Sequence, residues 1–410
     1  MKTPLLFLCH RIPYPPNKGD KIRSFHLLHH LSQYFDIYLG TFVDDPDDWP
    51  YADDVRKYCR DALFVDLKPL QAKLCSLTGL LKRQALSVPY YSNRQMQTWV
   101  DSTVEANSIK HVIAYSSPMG QYVINSDWEY SRKVVDFVDV DSDKWQQYAQ
   151  QKRWPLSWLY RREARRLLDY EKTLAAEFDA GLFVSSAEAA LYRQLDPKSA
   201  AKIGFYNNGV NANYFSPDES RESALPSGVP CVVFTGAMDY WPNIDAAVWF
   251  AEHVMPLLRE QVPALEFYIV GSNPARAVRE LAELPGVSVT GRVEDVRPYI
   301  QHAVAAVAPM RVARGVQNKV LEAMAMARPT LVTTKGLEGI DAKHGQHVLI
   351  ADSPEQYVNM LAGLLNDSCV GLGHAAREFV KRHFDWDNNL PEVVLLLDHS
   401  EELILDAAHA

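Results

Sequence analysis

Short apolar runs alternate with helix-length amphipathic segments along most of these 410 residues. That alternation is the pattern of βα units stacked around mainly parallel sheets, and it constrains the fold more than any other feature. PLLFLCH predicts a first strand, Ile12 to Asp20 a Pro/Gly-punctuated loop, and Lys21 to Phe35 a helix burying Ile22, Phe25, Leu28 and Leu31. Further strands are predicted at 37–43, 63–66, 112–115, 134–137, 181–184 and 203–206. Ser216 to Pro230 is polar, charged and flanked by proline, so it predicts a linker. A second series then restarts with CVVFTG, LEFYIVGS, VSVTG, AAVAP and PTLVTT as strands, and 243–260, 274–282, 296–301 and 319–327 as helices. From about Asp352 the pattern turns helical, at 354–366, 374–383 and after Trp386. The length exceeds one hydrophobic core. The expected fold class is therefore α/β: two doubly wound domains facing a central cleft, with ligands beyond the carboxyl ends of the strands.

Composition narrows the classes of function. No window holds the ~20 apolar residues of a membrane span, and Met1 to Cys9 lacks the charged region and cleavage site of an export signal, so a cytoplasmic location is expected. The five cysteines (9, 59, 75, 231, 369) fit neither a metal nor a disulfide framework and are expected to be reduced. A net charge of −9 argues against nucleic acid as a partner. An anionic ligand then needs a local group of cations. One such group is Arg311/Arg314/Lys319. The other is KRWPLSWLYRREARR (Lys152 to Arg166), which is either a solvated helix face or, given its aromatics, a surface for a membrane or an anionic lipid headgroup. In Leu70 to Leu86, Leu70, Leu74, Leu77 and Leu81 recur at helical spacing beside Lys73, Lys82 and Arg83, and core packing is the expectation over membrane contact.

The strand AAVAP is followed by MRVARGVQNKVLEAMAMARP, a cation-rich loop with Gly315 leading into an apolar helix from about Asn318. A helix start presents unpaired amides and the positive end of its dipole, and a glycine admits a phosphate close to the backbone. Arg311, Arg314 and Lys319 add positive charge. Lys319 and Glu322 lie three apart on one helix face, so a diphosphate at the helix start leaves a ribose near Glu322, whose carboxylate accepts from vicinal hydroxyls. The alternative is a solvated lysine and a glutamate that only complements the dipole.

Several motifs together resemble the retaining GT-B glycosyltransferases (glycosyltransferase family 4-like). They are NNGVNANYFSP (Asn207 to Pro217), VFTGAMDYWPNIDA, IVGSNP, VTGRVEDVRPYI and KVLEAMAMARP, in that order along the chain. DFVDVDSDKW, RVARGVQNKVLEAMAMARP and CHRIPYPPNKGDKIR look most like the subfamily of sugar transferases associated with PEP-CTERM/exosortase polysaccharide loci. The resemblance implies two Rossmann-like domains: 1–215 for the acceptor, with about 386–410 crossing back onto it, a linker at 216–230, and 231–385 for the nucleotide sugar. It implies a hexosyltransferase-like enzyme that moves a sugar from a nucleotide-diphosphate sugar to a hydroxyl with retention, in exopolysaccharide or lipid-linked glycan synthesis. The implied acceptor is a polyprenyl-diphosphate-linked glycan at the inner face of a bacterial membrane, with peripheral membrane contact. No cofactor and no obligatory metal are implied.

Carried over by position, the resemblance assigns Glu322 to the ribose, Lys319 and Arg311 to the diphosphate, and the backbone at Arg292 and Val293 to the nucleobase. Gly19 belongs to a first-domain loop facing the donor, and Arg314, Gly315 and Val316 complete the donor set. Two departures stand out. Arg314 occupies the place of a customary glutamate, and GAMDYWPN lacks the customary basic residue. They leave as alternatives a non-catalytic nucleotide- or lipid-binding partner of another transferase, or a sugar-nucleotide epimerase.

DFVDVDSDK sets Asp136, Asp139, Asp141 and Asp143 at and beyond a strand end. A calcium loop is disfavoured, because its glycine position holds Lys144 and its twelfth position Gln150. An Asp-x-Asp metal site would sit in the wrong architecture. The preferred expectation is an acceptor site, with Asp139 near the attacking hydroxyl and Asp141 or Asp143 capping the next helix.

Overall fold

A computed structural model of the protein describes residues 2–16, 19–124, 128, 130, 132–313, 315–365 and 371–398. The chain forms two compact units, Met1–Asn207 with Leu390–Ala410, and Asn208–Asn389.

The first unit is built on β1 (Thr3–Cys9), β2 (Phe35–Val43), β3 (Asp61–Asp66), β4 (His111–Tyr115), β5 (Arg132–Val138), β6 (Ala180–Phe183) and β7 (Ile203–Phe205). All seven are parallel, in the order β3-β2-β1-β4-β5-β6-β7. Runs such as Leu5–Cys9 are wholly buried, as expected of parallel strands covered on both faces. The last described helix, Pro391–Asp398, belongs to this unit. It buries Val393, Leu396 and Leu397, and the Leu396 carbonyl accepts from Arg132 Nε at 2.8 Å.

The helix after β1 runs Gly19–Leu31, and its buried face differs from the one predicted. Ile22 and Phe25 are only half-buried, whereas Lys21 and Arg23 are fully buried. Each buried cation has its own carboxylate, Asp48 at 2.5 Å from Lys21 and Asp136 at 3.0 Å from Arg23. Arg23 also donates to the carbonyls of Tyr206 (2.9 Å) and Phe183 (3.2 Å) and lies 3.5 Å over the Tyr206 ring. The Tyr206 hydroxyl donates to Asp136 at 2.5 Å. This knot ties the helix to the carboxyl ends of β5 and β6 and to the residue just past β7.

Two other expectations are corrected here. Helices Pro69–Ser76 and Thr78–Leu81 form, but Leu70, Leu74 and Leu77 are exposed, so these three are not core packing, and the side chain of Leu81 lies outside those described. Helix Asp141–Gln151 has Val140 at its N-cap and no side-chain cap from Asp141 or Asp143. Its first amides are held instead by glutamates from neighbouring helices: Glu188 accepts from Val140 N at 2.7 Å, and Glu171 from Ser142 N at 3.3 Å and Ser142 Oγ at 2.6 Å.

The second unit contains β8 (Cys231–Thr235), β9 (Glu266–Val270), β10 (Val287–Gly291), β11 (Ala305–Ala308), β12 (Thr330–Val332) and β13 (Leu349–Ile350), parallel in the order β10-β9-β8-β11-β12-β13. The helix predicted over 243–260 is three joined pieces, Trp241–Trp249, a wider π-type turn at Phe250–Val254, and Met255–Gln261. Pro256, which has no amide to donate, is the second residue after the wide turn. Residues 216–230 belong to this unit and are fastened to helix Arg297–His302. The Asp218 amide donates to Gln301 Oε1 at 3.1 Å, Gln301 Nε2 donates back to the Asp218 carbonyl at 2.6 Å, and Leu225 is buried. The turn at Gly209 packs against Trp386, where a Cβ would lie 2.7 Å from the indole.

Candidate functional site

In the second sheet the strand order reverses between β8 and β11, so the loops after these two strands open the crevice where ligands of doubly wound sheets bind. The loop after β8 leads to helix Trp241–Trp249, and the loop after β11 to helix Asn318–Ala325. Lys319 joins the two, donating from Nζ to Asn243 Oδ1 at 2.8 Å. Asn243 is itself buried and fixed, its amide donating to the Ala237 carbonyl at 2.9 Å. The ammonium stands 5.4 Å over the Phe234 ring.

Glycine is required beneath it. A Cβ on Gly236 would meet Asn243 Nδ2 at 2.8 Å and Lys319 Cε at 3.3 Å, and a Cβ on Gly271, at the end of β9, would collide with the Gly236 carbonyl oxygen. The ends of β8 and β9 are thus bare backbone beside a cation. Gly315 has φ of +66°, a left-handed turn that favours glycine, and the space over it is open. No side chain among the described residues caps helix Asn318–Ala325.

Glu322 lies one turn along from Lys319, half-buried, and accepts no hydrogen bond from a described side chain. Burial pushes its carboxyl up to about 7 against the opposing pull of Lys319. Burial likewise pushes the Lys319 ammonium down to about 8, with Glu322 opposing. Each charge is under-solvated in the free protein. A ligand that supplies an anion to Lys319 and hydroxyl donors to Glu322 relieves both.

Arg311 points elsewhere. Its guanidinium is exposed and forms a two-pronged ion pair with Asp245, with Nε to Oδ2 at 3.0 Å. Asp245 lies two positions, about 200° round the helix, from Asn243. Arg311 there lines a cavity of about 340 Å³ with Trp241, Ile244, Trp249 and His253. Arg314 lies outside the described residues. Val316 is half-buried and would touch a Cβ placed on Gly339 at 3.1 Å. Arg292 is exposed and Val293 half-buried just past β10, whose Gly291 carbonyl accepts from Gly271 N at 3.2 Å. That backbone is two strand spacings from β8, about 9–10 Å.

In the first unit Gly19 opens helix Gly19–Leu31, exposed and with empty space where a Cβ would stand. Asp136 is consumed by the Arg23 knot. Asp139 and Asp141 share the ammonium of Lys144, at 2.6 and 3.1 Å, and Asp143 accepts from Gln147 at 2.7 Å. Spacing along the chain does not mark Asn243 as the residue holding Lys319, because an asparagine in the first turn of a helix ordinarily serves the helix itself.

Two parallel-sheet α/β units, each reversing strand order at its first strand, with an uncapped helix and a lysine at the second reversal, define a GT-B fold. Residues 229–367, which lie within the second unit, match the model of the family described as glycosyl transferases group 1. No curated protein sequence matches the chain. Among solved structures, a sucrose-phosphate synthase from Thermosynechococcus elongatus aligns over 96% of this chain and 98% of its own, with TM-score 0.69 and 18% identity. Anabaena HepE in complex with UDP aligns over 96% and 98%, with TM-score 0.67 and 13% identity. A glycosyltransferase from Rickettsia africae aligns over 97% and 100%, with TM-score 0.63 and 13% identity. At these identities the likeness is one of fold.

Proposed function

We propose that the protein transfers a glycosyl group from a nucleotide-diphosphate sugar to a hydroxyl acceptor, with retained configuration. The observation that carries this is the under-solvated Lys319–Glu322 pair at the β8/β11 reversal, one residue made for an anion and the other for a diol. The UDP held by HepE, a protein of like fold, supports a nucleotide ligand. In this reading Lys319 and the first amides of helix Asn318–Ala325 receive the diphosphate, Glu322 the ribose, and the backbone past β10 the base. As the glycosidic bond to the diphosphate breaks, negative charge grows beside Lys319, and the leaving phosphate oxygen takes the proton of the attacking hydroxyl on the same face. Asp139, paired with Lys144, serves in this reading to orient the acceptor hydroxyl. Arg311 joins the diphosphate only on leaving Asp245. The mechanism calls for no metal. The acceptor in this proposal is a lipid-linked glycan of exopolysaccharide synthesis, presented at a membrane surface.

The test is a panel of nucleotide sugars scored by thermal shift, then by nucleoside diphosphate release with and without acceptor. One nucleotide sugar should raise the melting temperature, since a ligand bound only to the native state stabilises it. Release should require acceptor. Release of an altered free sugar without acceptor would instead indicate an epimerase, and a thermal shift with no turnover a non-catalytic partner.

The same titration has a pH signature. Binding favours ionised Glu322 and protonated Lys319, so affinity should rise as pH passes about 7 and fall above about 8. The diphosphate of a nucleotide sugar does not titrate there, so both flanks belong to the protein. Glu322→Gln should remove the acid flank only. A flat profile between pH 6 and 9 in the wild type, on the order of experimental error, would contradict the assignment.

A further inference from the structure

Two segments of the first unit expose apolar side chains that its core does not use. Helices Pro69–Ser76 and Thr78–Leu81 leave Leu70 78%, Leu74 68% and Leu77 51% exposed, at helical spacing, so they form one ridge. Trp154 is 80% exposed, with Leu156 and Trp158 beside it at the start of helix Leu156–Glu177. The segments are neighbours, because Arg162 of that helix donates to the carbonyls of Gly79 at 2.7 Å and Gln84 at 3.1 Å. Neither 67–86 nor 144–162 contains an acidic residue. Lys73, Lys82, Arg83, Arg153, Arg161 and Arg165 are exposed around the leucines and tryptophans, and none forms an ion pair among the described residues. In a chain of net charge −9 this is a concentration of cations against the overall sign.

We propose that this face docks on an anionic lipid bilayer, the leucine ridge and Trp154/Trp158 entering the headgroup boundary while the arginines and lysines meet lipid phosphates. Apolar side chains rimmed by cations and tryptophan match that boundary. A second copy of the chain does not match, since pairing two such faces sets like charges together. No helix among the described residues is long and apolar enough to cross a membrane, so contact is from one side. The inference rests on the proposed membrane-borne acceptor for its purpose, and on the first unit alone for its geometry.

Co-sedimentation with vesicles of phosphatidylcholine, or of phosphatidylcholine and phosphatidylglycerol in equal parts, tests it. The full chain should bind the mixed vesicles and not phosphatidylcholine alone, and high salt should weaken binding. Leu74→Ser/Leu77→Ser and Arg161→Ala/Arg165→Ala should each lower binding roughly tenfold or more, as expected for lost insertion and lost surface charge. Their side chains are exposed, so unchanged melting temperatures show intact folding. Lys319→Ala should bind vesicles like the wild type, which keeps failure of the nucleotide assignment separate. Absence of binding to mixed vesicles, equal binding by both double variants, or a lipid-free dimer dissolved by Leu74→Ser/Leu77→Ser would each overturn docking.

Discussion

Lys319→Ala is expected to lower turnover by about two to three orders of magnitude, the cost of removing one preorganised donor from a developing anion. The loss should fall mainly on kcat, because the charge on the leaving diphosphate is largest in the transition state. Glu322→Gln should act differently. It weakens hydrogen bonds from the ribose hydroxyls that are present in ground and transition state alike, so affinity drops roughly ten- to a hundredfold while kcat changes little. Stability should move in the opposite sense. The Glu322 carboxyl sits above its ordinary 4.5, at about 7, so its ionisation costs the folded state stability as pH rises through that window. Glutamine removes the cost, and part of the gain is returned because Lys319 loses its partner. A net gain of about 1 kcal/mol at pH 8 is expected from the linkage. The checks are steady-state kinetics with a competent acceptor and melting curves of the free variants. Wild-type kinetics in both would remove the site assignment, and a lower melting temperature in Glu322→Gln would mark it as a structural residue.

The second large effect belongs to the first unit. Arg23→Ala leaves Asp136 charged, buried and without its cation, and strands the carbonyls of Phe183 and Tyr206. Breaking a buried pair from one side costs about 3–5 kcal/mol. Asp136→Ala should cost a similar amount, since Arg23 and the Tyr206 hydroxyl both lose their acceptor. The double variant should cost clearly less than the sum, because the worst species, a lone buried charge, is absent. Urea unfolding of the four proteins measures this. Strict additivity would show that Arg23 and Asp136 do not act as one unit.

Much of the fold was legible because strand and helix carry different hydrophobic periods. Twelve of the thirteen strands lie where apolar runs predict them. The missed one, β13, is a two-residue edge strand with too few side chains to show a period. The Gly315–Glu322 segment was legible because a glycine, a lysine and a glutamate around one helix start have few joint uses. What misled was side-chain identity read alone. Lys21 and Arg23 look solvated in sequence, yet they are buried by carboxylates 27 and 113 positions away. Leu70, Leu74 and Leu77 look like a core face, yet nothing among the described residues covers them.

The sequence by itself determined two parallel α/β units and the helix on which Lys319 and Glu322 are stacked, since both follow from periodicity and from spacing within a few turns. Only the tertiary structure decided which cations are free. It gives Lys319 to Asn243, Arg311 to Asp245 and Lys144 to Asp139, pairings set by where strand ends bring distant loops together. Spacing along a chain fixes neighbours on one helix; it carries no information about the neighbour that a sheet supplies from 76 residues away.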